Sequence, residues 1–100
     1  MLRGTTPTHN FDVDIDTAII KELKITYSQK DIEVLSKKMR DCTILQNRIV
    51  TRLSQEDTFL FECNQVVNIQ MRVLTTSGDV LISEIMRMSV GRCLDDEVLV

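Results

Sequence analysis

The sequence predicts an all-β protein: a two-sheet antiparallel sandwich of immunoglobulin-like type, with about seven strands and one short helical turn near residues 54–60. Three observations carry this. Apolar side chains recur at every second position along most of the chain, the period of a strand with one buried face. Turn signals separate these runs at intervals of about 8 to 12 residues. The two longest alternating runs, Val66 to Thr76 and Asp79 to Val90, meet at Ser77-Gly78-Asp79 and read as a hairpin. On its inner face this hairpin is expected to carry Val67, Ile69, Met71 and Val73 from one strand and Val80, Ile82, Met86 and Val90 from the other.

In chain order, residues 1–8 read as an extended arm or edge strand, because Pro7 lacks a backbone donor and pushes Thr6 toward extended geometry. His9 to Ile15 alternates Phe11, Val13 and Ile15 with Asn10, Asp12 and Asp14, giving a strand whose acidic face meets water. The pattern slips at Ala18, Ile19 and Ile20, which places a turn near Asp16-Thr17. A helix over Asp16 to Leu23, capped by Asp16, is the alternative. Leu23, Ile25 and Tyr27 continue as a strand, and Gln29-Lys30-Asp31 turns it into a partner that starts at Ile32. Ser36 to Arg40 reads as a charged loop leading into Asp41 to Leu45. Gln46-Asn47 is a turn because Asn tolerates positive φ, and Ile49, Thr51 and Leu53 then alternate with Val50 and Arg52. Ser54-Gln55-Glu56-Asp57 has the spacing of a capping box, but Cys63-Asn64 soon breaks the run, so one helical turn is expected, with Phe59 or Phe61 plugging the core. The β-sandwich domain therefore covers 9–91, and 92–100 is a short tail whose Asp95-Asp96-Glu97 suits a frayed or partner-bound end.

One hundred residues make a single domain, and four aromatics with no Trp mean an aliphatic core. A net charge of -3 argues against a nucleic-acid binder. The basic cluster Lys37, Lys38 and Arg40 is surrounded by Asp31, Glu33 and Asp41 and reads as a solvated face. No apolar run approaches the roughly 20 residues that span a bilayer, and Met1-Leu2-Arg3-Gly4 lacks the hydrophobic stretch of a secretory signal. A soluble protein made in the cytoplasm is the expectation. Three widely spaced cysteines, Cys42, Cys63 and Cys93, fit reduced thiols better than a disulfide framework.

The residues point to no catalysis. His9 is the only histidine, it is expected to be exposed, and no glycine-framed nucleophile accompanies it. His9 with the three cysteines would supply four zinc ligands, but without the short spacings that mark a zinc site. Asp12, Asp14 and Asp16 lack the glycine and terminal glutamate of a calcium loop. The acidic pairs Glu56-Asp57 and Asp95-Asp96 have no implied pocket. Gly4, Gly78 and Gly91 are isolated, which excludes a phosphate-cradling loop. No enzyme and no cofactor is expected.

Three stretches carry a resemblance. Arg3-Gly4-Thr5-Thr6-Pro7-Thr8 followed by Phe11, then Ser54-Gln55-Glu56-Asp57-Thr58, then Val67-Asn68-Ile69-Gln70-Met71-Arg72, resemble small uncharacterised proteins of phages and prophages of Gram-positive bacteria. The similarity runs along nearly the whole chain. In outline the chain also looks like the immunoglobulin-like N-terminal domain of phage baseplate upper proteins. The resemblance implies a non-enzymatic structural or accessory component of a tail, baseplate or capsid, made in the host bacterial cytoplasm and assembled into the virion by contacts with other phage proteins or with copies of itself. Nucleic acid and membrane are not expected partners. Arg3, Thr5 and Thr6 of the arm are the first interaction candidates, and Gln55, Glu56 and Asp57 of the turn the second. The alternative is a monomeric binding module that recognises a host protein or a surface glycan.

Overall fold

The computed structural model describes all residues, Met1–Val100. Eight strands form two antiparallel sheets around a single core. They are β1 (Thr8–Asp12), β2 (Ile20–Gln29), β3 (Ile32–Lys38), β4 (Cys42–Leu45), β5 (Arg48–Arg52), β6 (Val66–Thr75), β7 (Val80–Ile82) and β8 (Met86–Ser89), with one helical turn, α1 (Gln55–Phe59). The smaller sheet has the order β1-β5-β4. The larger runs β3-β2-β6, with β7 and β8 sharing the far side of β6.

The alternation places the core where it was expected in most strands. Leu23, Ile25 and Tyr27 of β2 and Val67, Ile69, Met71 and Val73 of β6 are buried, as are Phe11 of β1 and Ile49 of β5. Leu53, Phe61 and Val90 close the ends. Phe61 is the aromatic that plugs the core, its ring 5.9 Å from that of Tyr27.

Turn chemistry explains the hairpins. Lys30 and Asp31 both take positive φ, 52° and 62°, as a two-residue connection between twisted strands requires. Ser54 and Asp57 form the complete capping box: the Ser54 hydroxyl accepts from the Asp57 N–H at 3.0 Å, and the Asp57 carboxylate accepts from the Ser54 N–H at 2.9 Å. Gln46-Asn47 does connect β4 to β5, but the positive φ belongs to Asn64, at 61°.

Several expectations are corrected. The slip near Ile20 is a 3-10 turn, Thr17–Ile19, capped by Asp16, followed by a one-residue shift at Lys21 in the pairing of β2 with β6. The turn expected near Asp16-Thr17 is thus present, and the alternative of a helix over Asp16 to Leu23 is not formed. Ser36–Lys38 belongs to β3 and only Met39–Asp41 leaves the sheet, because Lys38, Lys37 and Ser36 pair with Lys24, Ile25 and Thr26. The first strand ends at Asp12, although Val13 and Ile15 still pack on the core.

The largest correction concerns the run from Asp79 to Val90. It is two strands, because Ser83-Glu84-Ile85 face only Gln70 and Met71 and so add one residue on that side. Before this bulge Ile82 lies opposite Arg72 and Val80 opposite Leu74, so both point away from the core. Val80 is 57% exposed and Ile82 62%, where burial was expected. After the bulge the phase is reversed, and Val90 is buried.

Candidate interaction surfaces

The arm and the turn, separated by about half of the chain, meet at one end of the molecule. The arm crosses from one sheet to the other: Leu2 bridges Gly91 in parallel beyond β8, and the Pro7 carbonyl accepts from the Leu53 N–H at 3.0 Å just past β5. Between these points it lies over α1. The hydroxyl of Thr58, fully buried, accepts from the Gly4 N–H at 2.9 Å and donates to the Thr5 carbonyl at 2.9 Å. Gly4 sits at φ 78°, and a Cβ there would lie 2.8 Å from the Phe59 ring. Only glycine lets the arm approach α1 this closely without strain.

The six candidate residues are mostly engaged within the chain. Arg3 stacks over the Phe59 ring at 5.4 Å, donates to the Phe59 carbonyl at 3.2 Å and reaches Asp96 at 3.3 Å. Thr5 donates to the Leu2 carbonyl, and Thr6 accepts from Arg52. The Gln55 amide exchanges two hydrogen bonds with the backbone of Leu99, which holds the closing segment against α1. Asp57 pairs with Lys37 at 2.8 Å, both side chains less than one-fifth exposed. Burial opposes ionisation of Asp57, yet the Lys37 ammonium and the Ser54 donors outweigh it and hold its carboxyl below the usual range. Glu56 alone has no polar partner. It lines a shallow cleft of about 310 Å³ with Thr6, Arg52 and Gln55. Thr58 and Phe59, which join arm to turn, were not singled out in the sequence. Their signal was the capping box, which fixes the face α1 turns toward the arm.

The exposed histidine expected from the sequence is instead half-buried. His9 Nδ1 lies 2.7 Å from the Tyr27 hydroxyl, and the rings are 5.7 Å apart. Burial lowers the imidazole pKa and raises that of the Tyr27 phenol, so both groups are neutral at pH 7. Three or more His, Cys, Asp or Glu side chains nowhere gather in a set able to hold a metal ion. Cys42, Cys63 and Cys93 are unpaired thiols in separate, partly buried places. No helix is long and apolar enough to cross a membrane.

A surface the sequence did not announce lies along β7. Thr75 donates to Asp79 and Ser83 donates to Met71, so odd-numbered positions bond to β6. By the alternation of an antiparallel ladder, the N–H and C=O groups of Val80 and Ile82 then point outward along an open edge. Val80, Leu81, Ile82, Ile85 and Met86 are all at least 40% exposed, an apolar strip with no cover. The other edge of this sheet differs: β3 has a bulge at Val34 and carries Glu33, Lys37 and Lys38, devices that discourage pairing.

Comparison with protein-family models, curated proteins and solved structures returns no match.

Proposed function

We propose that this protein is a non-enzymatic assembly component that works through protein contacts, a structural or accessory part of a phage tail, baseplate or capsid. The open β7 edge is the observation that carries the reading. A short strand offering four outward backbone groups and aliphatic side chains is a template for strand addition. A second copy is the natural occupant, since an antiparallel edge is self-complementary about a two-fold axis: Val80 of each chain would face Ile82 of the other. The arm, engaged on both sheets and on α1, serves the fold of its own chain in this reading. The phage setting rests on the resemblance read in the sequence at Arg3 to Thr8, Ser54 to Thr58 and Val67 to Arg72.

The test is oligomeric mass by light scattering across protein concentration. The wild-type chain is expected to associate, and the doubly substituted Val80→Lys, Ile82→Lys chain to remain monomeric with an unchanged melting curve. A wild-type chain that stays monomeric at every concentration would remove the edge from the account. Mass spectrometry of purified phage particles then tests membership of the virion.

A further inference from the structure

The outer face of the larger sheet carries an unusual row. Lys38 of β3 lies directly opposite Lys24 of β2, which lies directly opposite Arg72 of β6. Directly opposed residues of an antiparallel pair point to the same face, so three cations stand in line across about 10 Å of sheet. Like charges so placed repel one another. Only Lys24 has an ion-pair partner, Glu33 at 2.9 Å, and Lys38 and Arg72 have none. The row is also concave. Arg40, in the 3-10 turn after β3 and likewise without an ion pair, closes one side of a trough of about 560 Å³. Glu22 is the one carboxylate in its lining, and Met39, Leu74 and Val80 supply its apolar wall. A concentration of positive charge on a chain of net charge -3 is a local feature with its own consequence.

From this row and its apolar wall we infer that the trough is a docking site for an acidic peptide segment that also carries aliphatic side chains. Carboxylates would lie over Lys24, Lys38, Arg40 and Arg72, and the aliphatic part against Leu74 and Val80, beside the open edge of β7. A peptide is favoured over a nucleic acid because no aromatic side chain lines the trough for bases to stack on. The inference rests on the reading that the protein works through protein contacts, but it fails separately: self-pairing of β7 is read from mass, and peptide docking from anisotropy.

The probe is a fluorescein-labelled peptide of four glutamates followed by two leucines, titrated with the full chain at low salt. Binding that weakens with added salt is expected, at least tenfold weaker in the Lys38→Gln, Arg72→Gln chain with an unchanged melting curve. Arg40→Gln, outside every strand and so without risk to the sheet, is expected to weaken binding about threefold. Absence of wild-type binding, or equal binding by both variants, would overturn the inference. Tighter binding of oligothymidylate or inorganic triphosphate than of the peptide would overturn it in favour of a phosphate ligand.

Discussion

On one flank of β6, β2 pairs with it over nearly its whole length, from Thr75 opposite Ile20 to Asn68 opposite Ser28. On the other flank, β7 and β8 divide the same length between them and leave Gln70 and Met71 facing a bulge. The β2 flank buries Ile20, Leu23, Ile25, Tyr27 and Gln29, while the β7 flank leaves Val80, Leu81 and Ile82 in water. Composition runs against the difference, since β7 is wholly aliphatic while β2 carries three charged residues among its ten. What separates them is the face they occupy: the buried β2 side chains point at the core, whereas Val80 and Ile82 point away from it, and Leu81 on the core side is still 42% exposed. An aliphatic strand side chain therefore stabilises this protein only where a second layer faces it, and elsewhere it remains available for another chain.

The sharpest break of this comparison is Ile25→Ala on the covered flank. Ile25 is fully buried between the sheets, so the substitution is expected to cost about 3 kcal/mol. At this chain length that lowers the melting temperature by roughly 15 °C, measurable by calorimetry.

Ser83→Ala tests the bulge itself. The Ser83 hydroxyl takes the place of a ladder carbonyl, accepting from the Met71 N–H at 2.9 Å, and the Ser83 carbonyl accepts from the Gln70 amide at 3.0 Å. Leaving the part-buried Met71 N–H without an acceptor is expected to cost about 1–2 kcal/mol in denaturant melts. If the bulge holds β7 in its outward phase, amide exchange should quicken at Leu81 and Ser83 more than at Ile25.

Acid acts on the covered flank through His9, which sits over Tyr27. The folded-state pKa of His9 is lowered by burial, so the unfolded chain takes up a proton first as pH falls. Stability contributed here is complete above the ordinary histidine range and declines as pH drops through it. Chemical denaturation at pH 8 and pH 5.5 is expected to show the loss, and His9→Gln, which keeps a polar partner for Tyr27 without titrating, to abolish its share.

The smallest effect on stability belongs to Ile82→Ala on the uncovered flank, within about 0.5 kcal/mol. A stability loss there as large as that of Ile25→Ala would mean that β7 is covered in solution and would end the contrast.

Much of the fold was legible in the residues. The alternation of Leu23, Ile25 and Tyr27 and of Val67 to Val73, the Lys30-Asp31 turn and the capping box at Ser54 are local signals, and local physics honours them. The slip beside Lys21 showed in the sequence, but the bulges at Val34 and Ser83 were not legible, because inserting one residue leaves each side of the break alternating normally and only the partner strand reveals the change of phase. That is why Val80 and Ile82 read as buried. Of the candidate site, the arm and the turn were each visible, but their meeting through Thr58 and Gly4 was not, since the residues lie more than fifty positions apart. The row of Lys24, Lys38 and Arg72 was hidden for the same reason. Along the chain Lys24 and Lys38 stand near Glu22 and Asp41 and Arg72 has no charged neighbour within six positions, whereas across the sheet Lys24 lies between the other two.

Taken alone, the order of residues determined which stretches extend, where they turn and which of their faces is apolar, because these depend on side chains a few positions apart. The register between strands, and with it which apolar face is covered and which charges stand side by side, was decided only when the chain closed on itself. Hydrogen-bonded ladders accept any register locally, and only the burial of one shared core chooses among them.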